Sequence, residues 1–166
     1  AITLVASLAG AALTTVQSVA AYGESQKVTR QHLALAQWAQ THLPADARIL
    51  VHDAGVPAYA TDLKLIDLVG LKTPPSVREH LRLTEPSQGE RRGEAIDAIA
   101  LNTRPSHAIV LNDEIGFWGR ISDDLRRHGW TLTAIGPAAP TYRLYELTPP
   151  GRRRSETGPA MLRSEW

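Results

Sequence analysis

Between Ala1 and Gly23 the chain carries no charged residue; Ala, Leu, Val and Ile dominate, interrupted by Ser7, Thr14, Thr15, Gln17 and Ser18. A run of that length is about what a helix needs to cross a bilayer, roughly 20 residues. The small residues Ala9, Gly10, Ala11 and Ala12 suit close helix packing in a membrane bundle. A signal peptide fits poorly, because it opens with basic residues and is followed by a cleavage site. Here the apolar run passes directly into a polar helical stretch. The expectation is that residues 1–23 are the end of the last membrane span of a longer polytopic protein. A buried or oligomerising helix of a soluble protein and a leader segment are the alternatives.

The pattern then changes period. Leu35, Trp38, Ala39 and His42 recur at helical spacing within a second helix predicted over Ser25–Leu43, which Pro44 stops. Short apolar runs follow at 48–52, 63–69 and 107–111, each read as a strand. The third shows no polar alternation, as in a sheet covered on both faces. Asp53 to Pro57 reads as a turn, and Thr73-Pro74-Pro75 opens a predicted loop lasting to about Gly89. Helices are predicted over Glu90–Thr103 and around Trp118, Ile121 and Leu125, the latter ended by Gly129. Strands over Trp130–Ile135 and Tyr142–Leu147 form a closing hairpin. Strands alternating with helices predict an α/β fold: a small Rossmann-like three-layer domain, its sheet mainly parallel, with a C-terminal antiparallel hairpin. The domain is expected over 24–148. Residues 149–166, poor in core formers, are expected to be a disordered tail.

Composition narrows the function classes. The chain has 166 residues, 43% of them hydrophobic and 21% charged, which is enough to bury a core. A formal net charge of +1 gives no argument for a nucleic-acid partner. The absence of Cys excludes disulfides, Cys-based zinc sites and thiol chemistry. The six histidines are scattered without metal-ligand spacing. Gly55, Gly70, Gly116 and Gly119 match neither a dinucleotide fingerprint nor a P-loop. Gly55 is expected to supply a positive-φ turn. Ser106 precedes His107, but no nucleophile elbow is present.

In open α/β sheets ligands bind beyond the carboxyl ends of the strands. Two polar clusters fall there: His52-Asp53-Ala54-Gly55 and Asn112-Asp113-Glu114. If Asp53 and Asp113 approach each other, a divalent cation or acid–base work becomes conceivable. Capping of turns by these side chains is the simpler reading. The Arg152-Arg153-Arg154 run suits either a solvated tail or anionic lipid head groups.

The stretch Ile49-Leu50-Val51-His52-Asp53-Ala54-Gly55-Val56-Pro57-Ala58-Tyr59, followed by Leu65-Ile66-Asp67-Leu68-Val69-Gly70-Leu71, resembles a family. It looks like the C-terminal soluble domain of bacterial GT-C type membrane glycosyltransferases, the arabinofuranosyl- and mannosyltransferase-like enzymes that use polyprenyl-phosphate sugars. The positions that carry the likeness are Asp53, Gly55, Tyr59, Asp67, Leu68, Gly70 and Leu71. The Trp38 helix with Leu43-Pro44-Ala45-Asp46-Ala47 and the closing Tyr142-Arg143-Leu144-Tyr145-Glu146 add to it; Pro57 departs from the common pattern. The likeness spans about Tyr22 to Thr148.

The resemblance implies a parent enzyme that moves a sugar from a lipid-linked donor on the outer face of the bacterial cytoplasmic membrane. Its catalytic Asp belongs to an extracytoplasmic loop of the membrane region, so no residue here inherits that role. No cofactor is expected in this segment; the polyprenyl-phosphate sugar and any divalent cation belong to the parent. The expected partners are the membrane bundle of the parent chain, with acceptor glycan and anionic lipid as further candidates. The candidate ligand-binding or loop-organising residues are Asp53, Gly55, Tyr59, Asp67, Gly70 and Asp113. Asp53 and Asp67 are expected to tie the loop 54–61 through backbone N–H bonds, and Tyr59 to pack in that loop or stack on a sugar ring. A tethered or soluble α/β domain that binds a small ligand is the alternative function.

Overall fold

The computed structural model describes residues 2–112 and 118–151, with side chains at 17, 18, 21–112 and 118–151. Eleven elements follow one another: α1 (Ile2–His42), β1 (Arg48–Val51), α2 (Gly55–Ala60), β2 (Lys64–Asp67), α3 (Pro74–Glu79), a π-helical turn (His80–Thr84), α4 (Arg92–Thr103), β3 (His107–Leu111), α5 (Ile121–Arg127), β4 (Thr131–Ile135) and β5 (Tyr142–Thr148). The five strands form one sheet in the order β2-β1-β3-β5-β4. β1 pairs in parallel with both β2 and β3, and β5 pairs antiparallel with β3 and β4. Four strands therefore point one way and only β5 runs against them. The closing hairpin forms as expected, but its second strand inserts beside β3 and leaves β4 at the rim.

Burial explains the unalternated apolar runs. Ile49, Leu50 and Val51 are all fully buried, because the sheet is covered on both faces. Ile49, Val51, Ile109 and Leu144 pack under Leu35 and Ala39 of α1. Leu50, Ala108, Val110 and Leu147 face the other way, against Ile96 and Ile99 of α4 and Ile121 and Leu125 of α5. The period of two along β1 and β3 assigns successive residues to opposite cores.

Three elements depart from the sequence reading. The two predicted helices at the start are one: α1 continues through Gly23, whose missing side chain faces open space and marks no break. The expected turn at 53–57 is instead the start of α2, and Pro57 is accommodated because it lies in the first helical turn, where no N–H partner is lost. The expected loop after Thr73 is helical through Thr84. Pro74 and Pro75 occupy its first positions, where their fixed φ favours a helix start.

Gly70 is demanded by geometry. Its φ is +100°, and an added Cβ would lie 2.4 Å from Val77 Cγ2 and 3.0 Å from the Val77 nitrogen. That glycine lets the chain after β2 pass against α3. The positive-φ glycines among the described residues are Gly70, Gly89, Gly129 and Gly136. Gly129 thus ends α5 as expected, whereas the positive φ expected at Gly55 is not found; Gly55 opens α2.

α1 lies antiparallel to β1. Near its C-terminus the Gln40 side chain accepts a hydrogen bond from the Asp62 amide, at the amino end of β2 (3.3 Å). Nine residues earlier Gln31 accepts from the Thr141 amide (3.0 Å), just before β5 and level with the carboxyl end of β3. Val28 is the first residue of α1 packed on the core. The helix therefore leaves the domain at the carboxyl edge of the parallel strands. Among the described residues no helix is long and apolar enough to cross a membrane. The expected span 1–23 falls mostly on residues whose side chains lie outside that set, and the expected disordered tail lies outside it from 152 onward.

Candidate functional site

The polar residues that end β1 and β2 separate into two kinds of work. Asp67, fully buried at the end of β2, accepts from the amides of Val69 (2.9 Å) and Lys72 (3.0 Å), while its own amide donates to Thr73 Oγ1 (2.9 Å). It organises the 68–73 loop, not the 54–61 loop expected for it. Asp53 follows β1 and does touch its own loop, accepting from the Gly55 amide at 3.3 Å. Charge-assisted bonds of this kind fix a turn at about 1.5–3 kcal/mol each when buried and less when exposed.

Asp53 also gathers partners distant in sequence. The Tyr142 hydroxyl donates to Asp53 Oδ2 at 3.2 Å. His32 of α1 faces the same oxygen, its Nδ1 3.7 Å away, a separation longer than a hydrogen bond. The His32 ring stacks on Tyr142 with centroids 4.1 Å apart, and His52 lies 6.0 Å from Tyr142. The His32 ring, then the Tyr142 hydroxyl and the Gly55 amide, hold the Asp53 carboxyl down at about 2, against the opposing effect of burial.

The imidazoles are the unusual part. His32 is 1% exposed, and neither of its ring nitrogens has a hydrogen-bond partner among the described residues. His52 is 9% exposed with Nδ1 likewise unpartnered. Burial pushes the His52 imidazole down to about 4 although Asp53 pulls the other way.

Beside this cluster lies an apolar pocket of about 250 Å³, with Val69, Val77, Leu81 and Trp118 in its wall. His80 stands edge-on to Trp118 at 5.7 Å. Its Nε2 meets the Leu68 carbonyl (2.9 Å) and its Nδ1 the Thr84 hydroxyl (2.8 Å). A carbonyl only accepts, so the Nε2 proton points to Leu68, and both nitrogens are occupied. His80 is thus a strut between β2 and the π-helical turn.

Catalytic chemistry finds little support in this arrangement. Among the described residues no three His, Asp or Glu side chains converge to hold a metal. The expected approach of Asp113 to Asp53 lies outside the described residues. Ser106 does touch His107 (Oγ to Nδ1, 2.9 Å), but at the opposite, amino edge, where the hydroxyl accepts from the Arg48 amide. Tyr59, on α2, is 95% exposed. The structure brings Asp53 together with His52, its neighbour in the polar cluster expected after β1, and with His32 and Tyr142, which the sequence pattern did not assign to the site. His32 had a signal: it falls three residues before Leu35 and seven before Ala39, on the buried stripe of α1.

These features define a mixed-sheet α/β domain with a polar cluster and an apolar pocket at the carboxyl ends of its parallel strands. Residues 18–152 match the model of the domain of unknown function DUF8728, and the chain belongs to that family. No curated protein and no solved structure matches.

Proposed function

We propose that the chain is the non-catalytic extracytoplasmic domain of a polytopic membrane glycosyltransferase that takes its sugar from a polyprenyl-phosphate donor. The observation that carries this reading is the continuity of α1. One helix joins the charge-free stretch to the half that covers the sheet. From Ile2 to Gly23, at about 1.5 Å per residue, it rises about 33 Å, close to the ~30 Å hydrocarbon core of a bilayer. Tyr22 is largely exposed at the boundary, where aromatic rings favour the membrane–water interface, and Glu24, Lys27 and Arg30 follow it. The mainly parallel sheet and the turns built by Asp53 and Asp67 fit an accessory role. In that role the domain holds acceptor or steadies the bundle, and the parent supplies the catalytic base.

The test uses membranes from cells expressing the full reading frame that encodes this domain, supplied with radiolabelled polyprenyl-phosphate sugar. Transfer to an acceptor glycan is expected to survive Asp53→Asn and Asp67→Asn. It is expected to disappear when the gene is deleted. Undiminished transfer in the deletion strain, or transfer by the isolated 24–151 segment, overturns the proposal.

The apolar pocket and the unpartnered imidazoles favour a second reading, a tethered domain that binds a small ligand without acting on it. Saturable micromolar binding of a small molecule in a chain whose reading frame encodes no further membrane spans would favour this alternative.

A further inference from the structure

We infer that the carboxyl edge of the sheet is the face this domain turns to the membrane, with Leu71 and Leu81 seated in the lipid interface. The inference rests on the membrane-anchor reading of α1 and adds an orientation to it. α1 runs antiparallel to β1 and leaves the domain at that edge, as the contacts of Gln31 and His32 near the carboxyl ends and of Gln40 at the amino end show. Whatever the charge-free stretch is embedded in therefore lies beyond the carboxyl edge, within a few helical turns of it.

The surface at that edge is built for such a neighbour. Of the large apolar side chains exposed on the domain body, Leu71 (89%), Val77 and Leu81 follow the carboxyl end of β2, the last two lining the Trp118 pocket, while Tyr59 (95%) lies on α2 after β1. Leu101, near the C-terminus of α4, is the counterpart on the remote side. Lys72, Arg78 and Arg82 alternate with these leucines and valine and are all exposed; Arg82 pairs with Glu79, so Lys72 and Arg78 carry the basic character of the segment. Apolar side chains interleaved with basic ones are the composition of a segment that lies in a membrane interface rather than across it. In water the same patch is an unexplained exposure of apolar surface.

The chain has no native Cys, so single-cysteine probes need no background changes. Spin labels at Ala12→Cys, Leu71→Cys, Leu81→Cys and Leu101→Cys are to be placed one at a time in the whole chain, reconstituted in phosphatidylcholine–phosphatidylglycerol vesicles. Collisions with oxygen report lipid and collisions with a soluble nickel chelate report water. The expected result is loss of nickel access with gain of oxygen access at 12, 71 and 81, and full nickel access at 101. A lipid-embedded position 12 with 71 and 81 as open to nickel as 101 overturns the orientation and leaves the anchor standing. Nickel access at position 12 itself overturns both.

Discussion

Asp124, on the α4–α5 face, is 5% exposed and takes two guanidinium groups, Arg92 on Oδ2 at 2.6 Å and Arg127 on Oδ1 at 2.8 Å. Nearby, Asp97 accepts from the Trp130 indole at 2.8 Å. At the carboxyl edge, His32 and His52 are buried about as deeply and hold three ring nitrogens without partners among the described residues. The α4–α5 pair answers its buried carboxylates with neighbours; the carboxyl edge leaves imidazoles beside a half-exposed carboxylate. A satisfied network locks α4 to α5, whereas an unsatisfied one is kept at a cost in stability. The difference places the structural charges on the remote face and the available ones on the edge from which α1 departs.

The largest effect is expected on the satisfied side. Asp124→Ala removes the common acceptor of two arginines from a buried position and should cost about 3–5 kcal/mol in urea unfolding. A loss below 1 kcal/mol would mean that the two faces are not built differently. On the other side, His52 makes stability depend on pH. Its folded value of about 4 lies below the ordinary 6.5. Between those values the unfolded chain binds a proton that the folded chain refuses. Stability therefore falls as pH drops from 6.5 to 4 and levels off below, by about 3 kcal/mol. His52→Gln should flatten that slope; an unchanged slope would assign it to other groups.

Asp53 is the smallest of the three and has the opposite window. Its carboxyl is depressed from 3.8 to about 2, so its stabilisation is present above 3.8 and lost as pH falls to about 2. Half exposure screens the interaction, leaving about 1 kcal/mol. Asp53→Asn should lose that amount at pH 7 and match the parent at pH 2. A variant as stable as the parent at pH 7 would show that the Tyr142 and His32 contacts contribute nothing.

Much of the fold could be read from residues close in sequence. Ile49-Leu50-Val51 and Ala108-Ile109-Val110 announced two-sided strands because both faces of the sheet are covered, and Gly129 announced the end of α5. The misread segments carry prolines. Pro57, Pro74 and Pro75 read as breakers in the sequence, yet each lies in a first helical turn, where proline is tolerated. The site was half legible. Asp53 and Asp67 stand at the strand ends, as the topology of parallel sheets requires. The partners of Asp53 could not be read: His32 lies 21 residues upstream on another element, and Tyr142 reaches Asp53 across 89 residues. Only the antiparallel path of α1 and the insertion of β5 beside β3 bring them together.

The central claim, an outer domain carried on a membrane by α1, is tested most directly by location. A single Asp62→Cys variant, at the amino edge of the sheet, is expressed in bacterial cells from the full reading frame and treated with a membrane-impermeant maleimide before and after lysis. Labelling of intact cells, once the outer membrane is made permeable, is expected, with retention of the labelled chain in the membrane pellet after alkaline carbonate washing. Labelling only after lysis, or release of the chain into the carbonate supernatant, would contradict it.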